Sequence, residues 1–269
     1  MLARRTDGIT IHTFAGLSRY PGLRHAVSDR AGGVSSGCWE SLNLGLHVGD
    51  EPRRVIENRR RFCDAAGFDH ARLVVAQQVH AGVAAAVTAA DSGRGALDHA
   101  EAVPGADALV CAQPGVPLMA LCADCPLVLL VDGPARVLGV VHASWRSIAA
   151  NILPRSVRLM REMGAEAGRI RAAIGPCVGK CCYEIREGML KTVNGSGLPA
   201  DTYTERRSAG RLFFDLASAV AGQLQAAGVG EDLIETAASC TACSAGQFYS
   251  YRASGGQTGR FALLAEMAP

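Results

Sequence analysis

The chain has 269 residues, 49% of them hydrophobic and 19% charged, with a formal net charge of +2. Such a composition supplies a substantial core and excludes an intrinsically disordered chain. The near-balanced charge and the 5% aromatic content give no electrostatic or stacking basis for binding nucleic acid or a membrane surface.

Reading from the N-terminus, Met1–Leu17 carries Arg4 and Arg5 but no apolar segment of signal-peptide length, so a reduced, cytoplasmic protein is expected. The 10 cysteines are then expected to be packed, metal-bound or reactive rather than cross-linked. No apolar stretch is long enough to span a bilayer, because Asp124 and Asp132 break the longest candidates. Ile9–Phe14 reads as a short strand. The turn-rich segment 27–50 follows, and its paired Gly32-Gly33 call for unusual backbone angles or a close backbone approach. Glu51–Gly67 predicts a helix with Asp50 as cap, Pro52 in the first turn and Gly67 at its close. Its arginines, Arg53, Arg54, Arg59, Arg60 and Arg61, read as a solvated face, with an anion site as the alternative. Leu73–Val79 leans to strand and ends at His80, and Ala89–Gly105 is loop.

The stretch Val116–Arg146 organises the rest. Its apolar runs Pro117–Leu121, Leu127–Val131 and Val137–Val141, separated by polar or turn residues, predict buried strands; Asp107–Cys111 precedes them as another. Beyond lie a helix over Ile148–Met163 with Pro154 at its start or at a kink, and a strand over Arg169–Ile174. The Asp215–Ala227 helix is capped by Asp215 and closed by Gly228. Strands over Leu233–Ala237, Phe248–Tyr251 and Phe261–Leu264 follow. With no internal repeat, low-complexity tract or linker, one domain over residues 1–269 is expected.

Three soft or borderline ligands stand at strand ends: His80, Cys125 and His142. Strand-end loops carry chemistry on a rigid frame. Two His and one Cys drawn from separate strands would leave one tetrahedral position free, the arrangement of a catalytic zinc, which holds its thiolate and acidifies water. Copper accepts the same set with a weak axial Met, and Met119 is nearby in sequence. A metal-free alternative makes Cys125 a nucleophile with His142 as base, oriented by Asp124 or Asn43. Arg30, Arg146 and Arg252 are candidate oxyanion forks. Asn43 and Gln78 complete the candidate substrate- and phosphate-binding set. Cys177, Cys181 and Cys182 group with Cys240 and Cys243; a structural metal is the alternative there, but the spacing matches no zinc module and the group reads as packing. Walker, dinucleotide and H-E-x-x-H motifs are absent. One G-x-S-x-G, at Gly33–Gly37, has turn-rich flanks on both sides where a nucleophile elbow needs a strand and a helix.

Taken in order, SDRAGGVS (28–35), SLNLGLHVGD (41–50), ENRRRF (57–62), QQVH (77–80), ADALV (106–110), ADC (123–125), VVHASWR (140–146), AAIGPCVGKCCYEI (172–185), FDLASAVAGQLQAAGV (214–229), SCT (239–241) and FYSYRASGGQTGR (248–260) resemble the bacterial laccase-domain family of YfiH/YlmD-like proteins across nearly the whole chain. The resemblance implies a single-domain α+β fold of mixed sheets flanked by helices, the YfiH-like (cytotoxic necrotizing factor-like) fold. It implies a zinc-binding catalytic triad at His80, Cys125 and His142. It also implies purine nucleoside phosphorylase activity on adenosine, inosine, guanosine and methylthioadenosine, with adenosine deamination beside it. Phosphate would attack the ribose C1′, positioned by an Arg such as Arg146, with Asp124 or Glu184 as candidate proton donors. The family's other attributed roles are copper-dependent polyphenol oxidation and peptidoglycan editing, and a non-catalytic metal-binding role is a further alternative. Two departures stand out. Ser144 and Ser147 replace the glycines of HAGWRG, where the added side chains are expected to crowd a substrate, and Cys122 replaces the Thr of T-A-D-C. No heptad or edge pattern decides between monomer and homodimer.

Overall fold

The computed structural model describes residues 1–18 and 20–269. In chain order its strands and helices are β1 (Leu2–Thr6), β2 (Ile9–Thr13), β3 (Leu23–Ser28), α1 (Pro52–Ala66), β4 (Val74–Val75), β5 (Ala84–Ala86) and β6 (Ala108–Cys111). There follow β7 (Leu118–Cys122), β8 (Leu127–Asp132), β9 (Val137–His142), α2 (Trp145–Ala149), α3 (Ile152–Glu162), β10 (Arg171–Ile174), β11 (Glu184–Ile185) and α4 (Glu187–Gly195). The chain closes with β12 (Thr204–Arg206), β13 (Leu212–Phe214), α5 (Leu216–Ala226), β14 (Ile234–Thr236) and β15 (Phe261–Met267). Two six-stranded mixed sheets form, in the orders β1-β2-β3-β15-β7-β4 and β14-β10-β8-β9-β6-β5, with a three-stranded sheet β11-β13-β12 beside them.

The alternation of side chains explains the layering. Along β8, Leu127, Leu129 and Val131 face the core shared with the first sheet, whose Leu118, Ala120, Val27 and Leu263 meet them. Val128 and Leu130 point the other way, into a second core closed by α3 and α5 through Leu153, Val157, Val220 and Leu224. On β7, Met119 and Leu121 face a third core under α1, with Phe62 and Cys63. A strand with both faces covered reads as a continuous apolar run, which is why these strands are so visible in the sequence. The result is a single mixed α+β domain of four layers: helix, sheet, sheet, helices. Truncating a central residue such as Leu129, wholly buried, to Ala would cost about 2–5 kcal/mol.

Several expectations are corrected. The 148–163 helix is two helices, broken at Asn151 with φ 60°, while Pro154 sits harmlessly in the first turn of α3, where an N–H has no intrahelical partner. Asp50 does not cap α1. Its carboxylate accepts from the Ser35 hydroxyl and from Asn43, and Glu51 holds the cap position without a side-chain bond. Arg59 is not on a solvated face; it is buried and donates to the carbonyls of Leu44, Gly95 and Ala96, whereas Arg60 and Arg61 pair with Glu57. Phe248–Tyr251 is not a strand, and only Val74–Val75 of the 73–79 run is one. β1 and α4 are further elements without a strong sequence pattern. Gly33 does mark a close approach: a Cβ there would collide with the Ser41 carbonyl. Among the described residues, no helix is long and apolar enough to cross a membrane.

Candidate functional site

Register brings the site together. In the β8–β9 hairpin, Leu127 pairs with His142, so His142 ends its strand beside the turn that carries Cys125. The Ala143 N–H donates to the Pro126 carbonyl at 2.9 Å and locks that corner. β4 runs parallel to β7, with Val75 opposite Met119, and the chain leaving β4 reaches His80 at the same end. The Gln78 side chain ties this segment down: its amide donates to the Leu121 carbonyl at 2.6 Å and accepts from the Leu121 N–H at 2.8 Å. The site thus forms where one end of each large sheet meets the β7–β8 crossover.

His80, Cys125 and His142 each offer a ligand atom, and the three atoms lie within 4.8 Å of one another. The two imidazoles stand edge to face, with centroids 4.9 Å apart. Asp107, just before β6, orients both. It accepts the His80 N–H at 2.9 Å on Oδ1 and the Ala81 N–H at 2.7 Å on Oδ2, and its Oδ1 lies 3.1 Å from His142 Nδ1. The His142 N–H also donates to the Asp107 carbonyl at 2.8 Å. A carboxylate on Nδ1–H fixes the tautomer and leaves Nε2 as the ligating nitrogen. These bonds also hold His80 at φ 62°, a left-handed conformation a residue with a Cβ adopts only when its surroundings dictate it.

The electrostatics agree with a thiolate site. Burial alone would raise the Cys125 thiol, but the His142 and His80 imidazoles reverse it and bring it down to about 7. Burial likewise opposes charge on His142, yet the Cys125 sulfur and Asp107 raise it to about 9. Burial opposes ionisation of Asp107 too, and the bonds from His142, Ala81 and His80 keep its carboxyl below the usual range. Two imidazoles and a thiolate are a donor set suited to zinc or copper.

A cavity of 480 Å³ opens over these residues, within the size range of small-molecule sites. Trp145, Tyr183 and Tyr251 wall it, and Arg146, Arg252 and Arg260 point charge into it. Arg146 lies over Trp145 at 4.5 Å and Arg252 over Tyr183 at 5.1 Å. Neither makes an ion pair among the described residues. Gln78 lines the cavity as well, but with its amide committed to Leu121.

Other candidates fall elsewhere. Arg30 lies outside the cavity lining; its guanidinium is spent on the carbonyls of Glu40 and Ala245 and stacks on Tyr249. Asn43 is buried and accepts the Gly45 and Arg260 N–H groups while donating to Asp50, so it shapes the wall from behind. Met119 is buried under α1 and faces away from the ligands. Asp124 lines the cavity, but Thr241 Oγ1 donates to its Oδ1 at 2.5 Å and the Arg252 N–H to its Oδ2 at 2.6 Å. Glu184 sits on β11, paired with Arg211 outside the cavity. Ser144 and Ser147 do not crowd the cleft. Both are buried outside its lining; Ser144 caps α2 by accepting the Ser147 N–H, and the Ser147 hydroxyl donates to the His142 carbonyl at 3.1 Å. Cys122 is buried at the end of β7, where burial pushes its thiol up. Asp107, His47 and Arg260 are site residues that sequence reasoning missed. The one signal for Asp107 was an acid at the threshold of an apolar strand.

Residues 24–268 match the family described as multi-copper polyphenol oxidoreductase laccase. Over 249 residues the chain is 39% identical to the purine nucleoside phosphorylase YlmD of Geobacillus stearothermophilus, covering 91% of this chain and 90% of that one. It is 41% identical over 252 residues to a purine nucleoside phosphorylase of Deinococcus radiodurans, covering 91% and 90%. The crystal structure of YlmD from G. stearothermophilus superposes with a TM-score of 0.93 at 34% identity, covering 99% of this chain and 98% of that one. That of the Bacillus licheniformis hypothetical protein YfiH gives 0.92 at 28%, with 98% of each chain covered.

Proposed function

We propose that this chain, which belongs to the multi-copper polyphenol oxidoreductase laccase family, is a zinc-dependent purine nucleoside phosphorylase. It would convert adenosine, inosine, guanosine or methylthioadenosine and phosphate to the free base and the ribose (or methylthioribose) 1-phosphate, with adenosine deamination as a side activity. One observation carries the reading: three converging ligands lie in the same cavity as two arginines with no anionic partner among the described residues. The relatives named purine nucleoside phosphorylase support the substrate class.

His80, Cys125 and His142 would hold the metal, which supplies Lewis-acid polarisation when bound. Arg146 and Arg252 bind phosphate through their forks and keep it oriented toward the ribose. The stack of Arg146 on Trp145 and of Arg252 on Tyr183 limits where those forks can swing. The aromatic rings of Trp145, Tyr183 and Tyr251 suit a purine face. A phosphate oxygen forms the new bond to C1′, the N-glycosidic bond breaks, and its electron pair leaves with the base. Asp124 is the one carboxylate in the cavity lining among the described residues, and both its oxygens are already bonded. Those bonds hold Asp124 as an acceptor rather than as a proton donor to the departing base.

Copper-dependent phenol oxidation is the second reading, suggested by the family's description. It fits less well: the nearby Met119 faces a separate core, and 7 histidines in the chain are a thin inventory for several coppers. Adenine release from adenosine, measured with and without phosphate in wild type and Cys125→Ala, tests the proposal. Phosphate-dependent adenine formation that disappears in the variant is expected; unchanged formation removes the site.

A further inference from the structure

The cysteine group that reads as packing in the sequence is something else in space. Cys181 and Cys182, in the loop before β11, face Cys240 and Cys243, in the loop after β14, and all four sulfurs lie within 4.8 Å of one another. Cys177, the fifth member, is buried apart from them. All are free thiols. Cys181 Sγ lies 3.5 Å and Cys182 Sγ 3.4 Å from Cys243 Sγ. A disulfide would need about 2.05 Å; four thiolates at the ordinary zinc–sulfur distance of about 2.3 Å stand about 3.8 Å apart. We propose that Cys181, Cys182, Cys240 and Cys243 bind one zinc ion as a structural tetrathiolate centre, separate from the cavity.

The loops are shaped around the sulfurs. The Gly179 N–H donates to Cys240 Sγ at 3.2 Å, the kind of bond that stabilises a coordinated thiolate. A Cβ on Gly179 would come within 3.1 Å of Cys240 Cβ and 3.3 Å of Cys181 Sγ, so the backbone approaches the cluster closely enough that a larger residue would press on it. Packing does not explain the group, since Cys181 and Cys243 are exposed. Each loop also reaches the substrate cleft. The first supplies Val178, whose N–H donates to the Asp124 carbonyl, and Tyr183. The second supplies Thr241, bonded to the Asp124 carboxylate. The ion would clamp two cleft-forming loops that short strands alone hold weakly.

Metal content of protein purified under reducing conditions without added metal tests this. In a Cys125→Ala background, which disables the cavity ligands, one zinc per chain is expected, falling to near zero when Cys181→Ser and Cys243→Ser are added. Loading the Cys125→Ala protein with cobalt is expected to give the intense charge-transfer and d–d absorption of a tetrahedral tetrathiolate, a readout that does not require the cysteine-depleted variant to fold. Zinc content unchanged by the added serines, or cobalt-loaded protein without thiolate absorption, overturns the proposal. So does a thiol titration of denatured, chelator-treated protein that finds two thiols missing, since that marks a disulfide.

Discussion

Among the described residues two groups of metal-ligating side chains come together, and they are built on opposite plans. The His80–Cys125–His142 set is drawn from the ends of both large sheets, tied to the buried Asp107 and opened to a cavity. The Cys181–Cys182–Cys240–Cys243 set is drawn from two loops, lies near the surface and supplies four equivalent donors. Three donors on a rigid frame leave a coordination position for chemistry; four donors on loops saturate an ion and turn it into a cross-link. In the readings proposed above, a cysteine sulfur near a metal would serve reaction in one place and architecture in the other because of donor number and the stiffness of what carries it.

Ligand removal separates the two most sharply. Cys125→Ala is expected to lower phosphorolysis by more than about a hundredfold, above the loss from an outer-shell change, with the melting temperature held by the remaining core. Cys243→Ser is expected to act chiefly on stability, lowering the melting temperature, with a smaller loss of activity as the cleft-forming loops loosen. Comparing kcat and thermal unfolding across the two variants checks this, and matching losses of activity would merge the two roles. Next in size is Asp107→Asn, expected to weaken metal binding and activity by about 10–100-fold, as read by chelator competition. Arg146→Ala is expected to raise the KM for phosphate about tenfold, the value of one charge-assisted bond, leaving nucleoside affinity little changed.

A pH experiment sharpens the contrast further. In metal-stripped protein the Cys125 thiol, at about 7, is expected to be alkylated by iodoacetamide about tenfold faster at pH 8 than at pH 6, and added zinc should suppress it. The stability that this pair adds follows the same values. The lowered Cys125 contributes above its ordinary 9.0 and loses that contribution as pH falls through about 7; the raised His142 contributes below its ordinary 6.5 and loses it as pH rises through about 9. Between those limits both groups are ionised and each keeps part of its contribution. The smallest effect belongs to the serines beside the site. Ser144→Ala is expected to cost about 1 kcal/mol through the lost cap, measured by denaturant unfolding, with activity intact because neither serine lines the cavity.

How much of this was legible in the sequence follows from range. Strands β7, β8 and β9 were visible because both faces are covered, and α5 because its Asp215 cap bonds the Ser218 N–H three residues on. His142 was visible because it ends β9, Cys125 because it stands in the turn between β7 and β8, and His80 because it follows the apolar run that holds β4. Asp107 was not, since its partners, His80 in the connection after β4 and His142 at the end of β9, are remote in sequence and nothing local marks the carboxylate. The break at Asn151 was hidden because Pro154 carried the stronger local signal. The four-cysteine cluster could be grouped from the sequence but not resolved into a ligand set, because adjacent Cys181-Cys182 meet Cys240 and Cys243 through the pairing of Cys177 with Cys240 and its flanking bonds, a contact between loops far apart in the chain. The crowding expected from Ser144 and Ser147 failed because the turn aims both side chains inward, one to cap α2 and one to the His142 carbonyl.

The most direct test of the central claim is a product balance with adenosine while phosphate is titrated into protein of known zinc content. Adenine and ribose 1-phosphate formed in equal amounts, saturating with phosphate and absent from Cys125→Ala, is the expected result. Turnover independent of phosphate, or undiminished in that variant, would contradict it.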